Sequence, residues 1–378
     1  MAEIGVRHVM VIVGTRPEAV KMAPVIKALY ARPEAFRCTV VSTGQHREML
    51  RQTLTSFGLS VDVDLDIMQP DQTLASLTGA AIGACEKIFQ AARPDVVLVQ
   101  GDTTTVLSAS LAAHYAQIPV GHVEAGLRTY ERYNPFPEEM NRKLVTSLAT
   151  LHFAPTERSA RQLRKEGVPP SKVFVTGNTV VDALEELRGR VTTGDVSPAV
   201  RERVARSQGR FVLVTCHRRE SFAHDLNVIV DAIAMLADRF PDRTFFFPVH
   251  LNPNVRALVM PRLNGIENVV LADPVPYADI LFCLSSAELV LTDSGGLQEE
   301  APSFGVPVIV LRRTTERPEG VRAGFSRLVP IEQENIVSLA SSWLRSHRKA
   351  RLAGRPNPYG DGNAAARIVD ILSKEPLR

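Results

Sequence analysis

Short runs of β-branched and other apolar residues alternate with segments of helix length along the whole chain. Apolar strands separated by crossover helices are typical of parallel sheets that are covered on both faces. The runs form two series, which predicts two doubly wound sheets of five or six strands. The predicted strands lie at 8–14, 38–44, 96–102, 119–126, 151–156 and 173–178, and then at 210–217, 244–250, 269–275, 288–296 and 306–312.

A polar and charged stretch separates the two series. Residues 180–209 hold many charged side chains, and Pro198 and several glycines interrupt them. This pattern predicts an N-terminal domain over 1–180 and a C-terminal domain over 181–362. The segment after residue 362 has helical apolar spacing at Ile368, Val369 and Leu372, and it could pack on either domain.

Composition excludes several classes of protein. The 378 residues carry 44 basic and 41 acidic side chains, a net charge of +3, and these charges are interspersed. A protein that coats nucleic acid would show a basic block or stripe, and a membrane span needs about 18 apolar residues in a row. The sequence has neither. Its four cysteines are scattered, which suits a reducing compartment. We therefore expect a soluble, cytoplasmic, two-domain enzyme.

Polar segments follow the predicted strands in both series. They read GTRPEAVK, GDTTT, HVEAGLR, CHRRE, PVHLNP and DSGGLQEE. Ligands of doubly wound sheets bind outside the carboxyl ends of the strands, so these segments should meet at one edge of each sheet. A cleft between the two domains is the expected ligand site.

The segment 293–296 ends one predicted strand and begins a short helix. Its two glycines would let the backbone approach a ligand, and a helix start offers unpaired N–H groups to an anion; an ordinary helix cap is the alternative. Cations also follow strands, at Arg16, Lys21, Arg317 and the run 217–219. Such a set suits a nucleoside diphosphate. The sequence has neither GxGxxG after a strand nor a P-loop pattern, which disfavours a dinucleotide or P-loop fold.

Three carboxylates are candidate acid–base groups. Asp102 and Glu124 follow strands directed toward the same edge, and Glu138 lies in the Pro-flanked stretch NPFPEEMNR. Carboxylates that share a site move one another's pKa values apart, which permits separate acid and base roles. Each could instead be a helix cap or an ion-pair partner, and His122 and His250 are more typical of strand-end hydrogen-bond partners. No metal-binding or hydrolase motif occurs. The residues indicate a nucleotide-sugar or similar ligand and leave the reaction open.

Longer motifs occur in order from residue 14 to 362, namely GTRPEAVKMAPV, TGQHREML, GDTTT, GHVEAGLRT, FPEEMNR, HRRE, PVHLNP, LTDSGGLQEEAPSFGVPV, TTERPEG and NPYGDG. This set resembles the non-hydrolysing UDP-N-acetylglucosamine 2-epimerases over nearly the whole chain. The resemblance implies an α/β fold of two Rossmann-like, doubly wound domains of GT-B type facing a central cleft. It also implies that the final helix, 363–378, returns to the N-terminal domain. The expected protein is a homodimer that binds a UDP-sugar, with no cofactor, metal, nucleic acid or membrane partner.

The resemblance assigns roles to individual residues. The residues that match the family's catalytic positions are Asp102, Glu124, Glu138 and His217. The residues that match its substrate-binding positions are Arg16, Lys21, Arg142, Val275, Ile280, Ser294, Gly295, Gly296, Glu300 and Arg317. A candidate effector site would comprise Gln45, His46, Arg218 and His250.

Three positions depart from the family's usual pattern. Ser221 stands where many members have Asn. Ile280 stands where some members place an aromatic ring against uracil, so backbone groups near Val275 would carry more of the uracil recognition. Asp71 stands where members activated by their own substrate have Arg. Because an acid is a poor partner for a diphosphate, we expect weak or altered substrate activation.

The activity implied by the resemblance is reversible inversion at C2 of UDP-N-acetylglucosamine. UDP would leave across C1–C2 to give a 2-acetamidoglucal and then add back, supplying N-acetylmannosamine-type precursors for cell-surface polysaccharide. The alternatives are an epimerase, hydrolysing or not, of another 2-acetamido UDP-sugar, a GT-B glycosyltransferase, and a non-catalytic sugar-nucleotide sensor. A transferase requires an acceptor, whereas an epimerase converts its nucleotide sugar alone.

Overall fold

The computed structural model describes residues 5–45, 47–69, 71–191, 196–216 and 224–377. By its internal contacts the chain divides into two compact units, Met1–Glu185 with Tyr359–Arg378 (unit 1) and Glu186–Pro358 (unit 2). The sequence predicted these divisions at 180/181 and 362/363. Each unit is built on one parallel sheet flanked by helices, so the prediction of an α/β fold with two doubly wound sheets is confirmed.

Unit 1 contains a seven-stranded sheet in the order β3-β2-β1-β4-β5-β6-β7, in which every neighbouring pair is parallel. Its strands are β1 (Arg7–Val13), β2 (Phe36–Ser42), β3 (Val63–Asp64), β4 (Val96–Gln100), β5 (Val120–Val123), β6 (Leu151–Ala154) and β7 (Val173–Val175). Its helices are α1 (Arg16–Tyr30), α2 (Arg47–Ser56), α3 (Leu74–Ala92), α4 (Thr104–Tyr115), α5 (Glu138–Leu148), α6 (Glu157–Lys165) and α16 (Ala364–Lys374). Helix α7 (Thr179–Val191) begins in unit 1 and ends in unit 2.

Unit 2 contains a six-stranded parallel sheet in the order β10-β9-β8-β11-β12-β13. Its strands are β8 (Phe211–Thr215), β9 (Thr244–Pro248), β10 (Val269–Ala272), β11 (Leu289–Thr292), β12 (Val308–Val310) and β13 (Ser326–Leu328). Its helices are α8 (Pro198–Arg206), α9 (His224–Arg239), α10 (Pro253–Leu263), α11 (Tyr277–Ser286), α12 (Gly295–Glu300), α13 (Pro318–Arg322), α14 (Gln333–Arg345) and α15 (Arg348–Leu352).

The central strands of each sheet are apolar because helices cover both of their faces. All of β4 and β11 is buried, and so is β1 from His8 onward. In unit 1 the strand order reverses between β1 and β4, and in unit 2 it reverses between β8 and β11. Loops that leave neighbouring strands on opposite sides open a crevice at such a point, where ligands of these folds bind. The residues that follow β1, β4 and β11 therefore lie where these folds bind their ligands.

The final helix belongs to unit 1, a question that its apolar spacing left open. Helix α16 packs on α1, and its first turn donates the backbone N–H of Ala365 to Asp182 Oδ1 at 2.8 Å. Near its other end, Arg7 of β1 donates to the backbone carbonyl of Glu375 at 3.0 Å. Hydrogen bonds at both of its ends thus fix this helix against the N-terminal sheet.

Two edge strands and several strand ends differ from the sequence prediction. The short strands β3 and β13 were not predicted, because neither has an apolar run long enough to show a period. The predicted strands 119–126 and 288–296 end earlier, at Val123 and Thr292. Their last residues leave the sheet, and these are the segments that carry the candidate site residues.

The described residues also bear on membrane-spanning helices and on the state of the cysteines. Within the ranges given above, no helix is long and apolar enough to cross a membrane. All four cysteines are unbridged. Burial raises the pKa of the Cys85 thiol to about 12, and burial followed by nearby Asp279 raises that of Cys283 to a similar value. Thiols of this kind behave as packed apolar groups rather than as nucleophiles.

Candidate active site

The candidate residues of unit 1 follow three neighbouring strands. Helix α1, which carries Arg16 and Lys21, follows β1; Asp102 follows β4; and Glu124 follows β5. The strands β1, β4 and β5 are adjacent in the sheet. Because the strands are parallel, their carboxyl ends lie at one edge of the sheet, and these residues follow the strands at that edge.

Glu124 is a buried carboxylate that receives two hydrogen bonds on one oxygen. The Lys21 ammonium forms an ion pair with Glu124 Oε2, and the Gln100 side-chain amide donates to the same oxygen at 2.7 Å. All three residues are less than a tenth exposed. Glu124 has a left-handed backbone, with φ of +66°, which is uncommon for a residue other than glycine and often marks a functional position. The charge of Glu124 is therefore compensated inside the protein.

Asp102 has a different cation as its partner. Arg142 of α5 donates from Nε at 2.8 Å and from Nη2 at 2.7 Å to Asp102 Oδ2, and the Asn141 side chain donates to the Asp102 backbone carbonyl at 2.8 Å. Arg142 also contacts Glu139 Oε2 at 3.2 Å. Asp102 is about a quarter exposed, whereas Glu139 is fully buried. Asp102 is thus partly exposed to solvent, while Arg142 and Asn141 of α5 hold its side chain and backbone in place.

Glu139 joins this cluster to the turn before α5. Its two carboxylate oxygens accept the backbone N–H groups of Thr129 and Tyr130, each at 3.0 Å. Glu138 precedes it as the first residue of α5 and is half-buried. One turn later the same helix carries Arg142, so α5 brings Glu138 to the edge of the sheet at which Arg142 holds Asp102.

Two buried ionisable groups at this edge have strongly shifted pKa values. Burial raises the pKa of Glu18 to about 7, although hydrogen bonds from Thr103 and the backbone of Gly14 and Thr15 oppose the shift. Burial lowers the pKa of His122 to about 4, and its Nε2 donates to the Gly101 carbonyl at 2.7 Å. His122 is thus neutral at physiological pH and acts as a strand-end hydrogen-bond partner.

The glycine-rich turn of unit 2 lies against a guanidinium group. Ser294 precedes α12, and its backbone N–H donates to Thr292 Oγ1 at 2.9 Å. A Cβ atom on Gly295 would lie 2.6 Å from Cζ of Arg317, so only glycine leaves room for that side chain. At Gly296 the nearest atoms to such a Cβ are Glu300 Oε1 at 3.7 Å and Ser294 Oγ at 3.8 Å. The turn, the cation and the carboxylate of Glu300 therefore form one cluster.

Acidic side chains hold Arg317 in position. Its Nε donates to Glu299 Oε1 at 2.6 Å, and its Nη1 donates to Glu316 Oε1. Glu316 is in turn paired with Arg312 at 3.0 Å. Glu300 accepts a hydrogen bond from the Tyr277 hydroxyl at 3.0 Å. Because Arg317 is almost fully buried, Glu299 and Glu316 compensate its positive charge and orient its guanidinium group.

The remaining candidate residues are dispersed. Val275 lies between β10 and α11, Ile280 lies in α11, and both are half-buried. His250 is exposed after β9, where its Nδ1 accepts the Asn252 N–H at 3.1 Å. Gln45 accepts the Thr105 hydroxyl at 3.2 Å. Four positions lie outside the described residues, namely His46, His217, Arg218 and Ser221.

The residues that support this edge were not found from the sequence. Glu18 stands three positions after Thr15, a spacing typical of a capping box. Glu139 lies three positions before Arg142 on one helix, a spacing at which side chains meet. Gln100 is a polar residue at the end of an otherwise apolar strand. Each of these sequence patterns is a weak signal alone, because it predicts at most a contact within one element and not a contact with a candidate catalytic residue. Among the residues that the structure describes, no group of three or more His, Cys, Asp or Glu side chains could hold a metal ion.

Comparisons with known proteins give one consistent result. The family model described as UDP-N-acetylglucosamine 2-epimerase matches residues 27–373. The UDP-N-acetylglucosamine 2-epimerases of Yersinia pestis and Escherichia coli K12 are 48% and 47% identical over 368 and 371 residues, each covering 96% of this chain and 98% of the relative. The crystal structure of UDP-GlcNAc 2-epimerase from Neisseria meningitidis bound to UDP-GlcNAc is 44% identical. It superposes with a TM-score of 0.91 and covers 97% of this chain and 100% of that one.

Proposed function

The chain belongs to the UDP-N-acetylglucosamine 2-epimerase family, and on that premise we propose that it interconverts UDP-N-acetylglucosamine and UDP-N-acetylmannosamine by eliminating and re-adding UDP. The relatives are named UDP-N-acetylglucosamine 2-epimerases, and an epimerase is an isomerase. The route, the residue roles and the use of the product for cell-surface polysaccharide are parts of the proposal.

The observation that carries the proposal is the pair of compensated carboxylates at one edge of unit 1. The C2 proton of the sugar is not next to a carbonyl, so its removal has to be coupled to loss of the C1 substituent. Such a reaction needs a positioned carboxylate to take the proton and a second group to return one. Glu124, paired with Lys21, and Asp102, paired with Arg142, would serve as such groups, and Glu138 lies on the helix that carries Arg142.

The cluster in unit 2 suits the leaving group. The backbone N–H groups of Gly295 and Gly296 begin α12 and can donate to the diphosphate, and the Ser294 hydroxyl beside them can do the same. Arg317, fixed beside Gly295, would stabilise the negative charge that develops on departing UDP. Glu300 would accept ribose hydroxyls, as its carboxylate already accepts the Tyr277 hydroxyl. Backbone groups near Val275 and the apolar side chain of Ile280 would contact uracil.

Isotopes test the route directly. If the proton returned to C2 exchanges with water, reaction in D2O places deuterium at C2 of the product. If the C1–O bond breaks, oxygen-18 placed in the sugar-bridging position of UDP scrambles into the non-bridging positions. Conversion to the manno epimer with neither signature would overturn elimination and re-addition.

Substitution tests the carboxylates. We expect Asp102→Asn and Glu124→Gln each to reduce turnover by about 100-fold or more, the usual scale for acid–base catalysis, with a much smaller change in UDP affinity. Glu86→Gln is the matched control, because Glu86 is exposed on α3, where it accepts a hydrogen bond at 3.3 Å from the Gln90 side chain of the same helix. A fully active Asp102→Asn enzyme would contradict the assigned role.

A time course followed by NMR with UDP-N-acetylglucosamine as sole substrate separates the alternatives. The proposed epimerase forms the manno epimer without an acceptor. Release of free UDP would indicate a hydrolysing epimerase, and turnover only after an acceptor is added would indicate a transferase. We also propose a homodimer, for which light scattering of the purified protein should give twice the mass of 41.5 kDa.

A further inference from the structure

Glu18 is a buried carboxyl group for which the proposed mechanism has no use. It is the third residue of α1 and is 2% exposed. Its Oε2 accepts the backbone N–H of Gly14 at 2.5 Å and that of Thr15 at 3.2 Å. Glu18 therefore closes the turn from β1 into α1, the turn that presents Arg16.

The same carboxylate also contacts the neighbouring loop. The Thr103 hydroxyl lies near enough to Glu18 to lower the pKa of its carboxyl group, and Thr103 directly follows Asp102 in the chain. Thr103 is in addition the N-cap of α4, since its Oγ1 accepts the Val106 N–H at 3.3 Å. One side chain, Glu18, thus joins the turn after β1 to the turn after β4.

Packing leaves the turn after β1 little freedom to move. A Cβ atom on Gly14 would lie 2.2 Å from Thr105 Oγ1 and 2.6 Å from Thr43 Oγ1, so the backbone there is wedged between two threonine side chains. Those hydroxyls are themselves hydrogen-bonded at 2.9 Å. Sterics position the turn across the sheet, and Glu18 supplies polar contacts to both of the turns that carry candidate site residues.

We propose that Glu18 is a positioning residue for the epimerase reaction, holding the Arg16 turn and the Asp102 turn in a fixed spacing through Gly14, Thr15 and Thr103. This inference rests on the proposed function, in which Asp102 is an acid–base group, and on the substrate-binding role that the family resemblance implies for Arg16. Glu18 itself is assigned no part in proton transfer, because its Oε2 accepts the backbone N–H groups of its own turn, at Gly14 and Thr15. A displacement of about 1 Å in a reacting group can lower a rate by about 100-fold, which is the scale on which such a contact acts.

The character of the buried group predicts which substitution is tolerated. Glu18 Oε1 is buried with no hydrogen-bond partner among the described residues, and burial raises the pKa of this carboxyl to about 7. A neutral group is therefore accommodated at this position. Glutamine keeps an oxygen that can accept from Gly14, Thr15 and Thr103, whereas alanine removes all three contacts.

Asp182 provides a matched control within unit 1. It is also a buried carboxyl with a pKa raised by burial, and it also accepts backbone N–H groups at a helix start, at Ala365 of α16. It lies on α7, and the hydrogen bond that it accepts comes from the returning helix α16 rather than from either active-site turn. Asp182→Ala should lower the melting temperature as Glu18→Ala does, but without the catalytic defect.

The experiment measures kcat, KM and melting temperature for four variants, Glu18→Ala, Glu18→Gln, Asp182→Ala and Asp182→Asn. We expect Glu18→Ala to lower kcat by about 10- to 100-fold, and Glu18→Gln to stay within about threefold of the wild type. Both Asp182 variants should keep kcat within about twofold. Equal kcat losses in Glu18→Ala and Asp182→Ala, or an unchanged kcat in folded Glu18→Ala, would overturn the positioning role.

A second pair guards against a Glu18→Ala chain that fails to fold. Thr103→Ser keeps the hydroxyl for both Glu18 and the α4 cap, whereas Thr103→Val removes it. We expect Thr103→Ser to be active and Thr103→Val to lose kcat by about 10-fold or more. Asp102→Asn is assayed alongside. An active Asp102→Asn overturns the proposed function, whereas an inactive Asp102→Asn beside fully active Glu18 and Thr103 variants overturns the positioning role alone.

Discussion

Acidification should destabilise the folded chain through His122. This histidine lies on β5 with no exposed surface, and its Nδ1 has no hydrogen-bond partner among the described residues. Burial lowers its pKa from the ordinary 6.5 to about 4, and the nearby cations Arg128 and Arg142 act in the same direction. The folded chain therefore holds His122 neutral over a range of pH in which the unfolded chain protonates it.

The sign and size of the effect follow from these two values. As pH falls below 6.5, His122 binds a proton in the unfolded state but not in the folded state. The free energy of unfolding therefore declines until pH approaches 4. At pH 5 protonation of His122 shifts the folding equilibrium toward the unfolded state by about 30-fold relative to pH 8, which lowers the free energy of unfolding by about 2 kcal/mol. At pH 8 neither state binds the proton, and the contribution is absent.

The assay is urea unfolding of the wild type and of His122→Gln at pH 8 and at pH 5. Glutamine does not titrate, and its amide can still donate to the Gly101 carbonyl. Wild-type stability should fall by about 2 kcal/mol more than that of His122→Gln between the two pH values. Comparing the two proteins removes other titrations, among them those of His152, whose pKa burial lowers to about 3, and of Glu18.

Glu18 shows why the comparison is needed. Its pKa is raised by burial to about 7, so its contribution has the opposite sign, present at low pH and lost as pH rises through 7. A single pH profile of the wild type would mix the two effects. His114→Gln, at an exposed position on α4, should follow the wild type. Equal losses in the wild type and in His122→Gln would refute the reasoning.

Three further predictions concern ligand binding and regulation. Gly295→Ala should weaken UDP binding, measured by calorimetry, because its Cβ would lie 2.6 Å from Cζ of Arg317. Gly296→Ala, whose Cβ would have its nearest neighbour at 3.7 Å, should bind UDP much more like the wild type. Equal affinities of the two variants would contradict a role for the Arg317 guanidinium. Glu300→Ala should weaken UDP binding while the protein stays folded, and unchanged affinity would make the ribose assignment wrong. Asp71→Arg should strengthen substrate activation in initial-rate curves, because Asp71 is exposed and a cation there would attract a diphosphate; a strongly sigmoidal curve that this change leaves untouched would count against an effector site near Gln45.

The sequence was sufficient for the fold class because the central strands are buried on both faces. A strand such as β4 must be apolar at nearly every position, and that makes it visible without any partner. The strands that the sequence missed, β3 and β13, are two and three residues long at the sheet edges. An edge strand pairs with a neighbour on one side only, and strands this short have no apolar run that would reveal the pairing in the sequence. Helix α16 shows the same limit, because its amphipathic pattern predicts a buried face but not which unit buries it.

The sequence by itself also determined which residue types lie at the carboxyl ends of the strands, and hence the candidates Arg16, Asp102 and Glu124. Only the tertiary structure decided their partners. Lys21 meets Glu124 across 103 positions of the chain, and Arg142 meets Asp102 across 40. Such pairs form because parallel strands far apart in sequence end at one edge, and a buried charge there has to find a counter-charge in three dimensions. No periodicity or spacing along the chain encodes that choice.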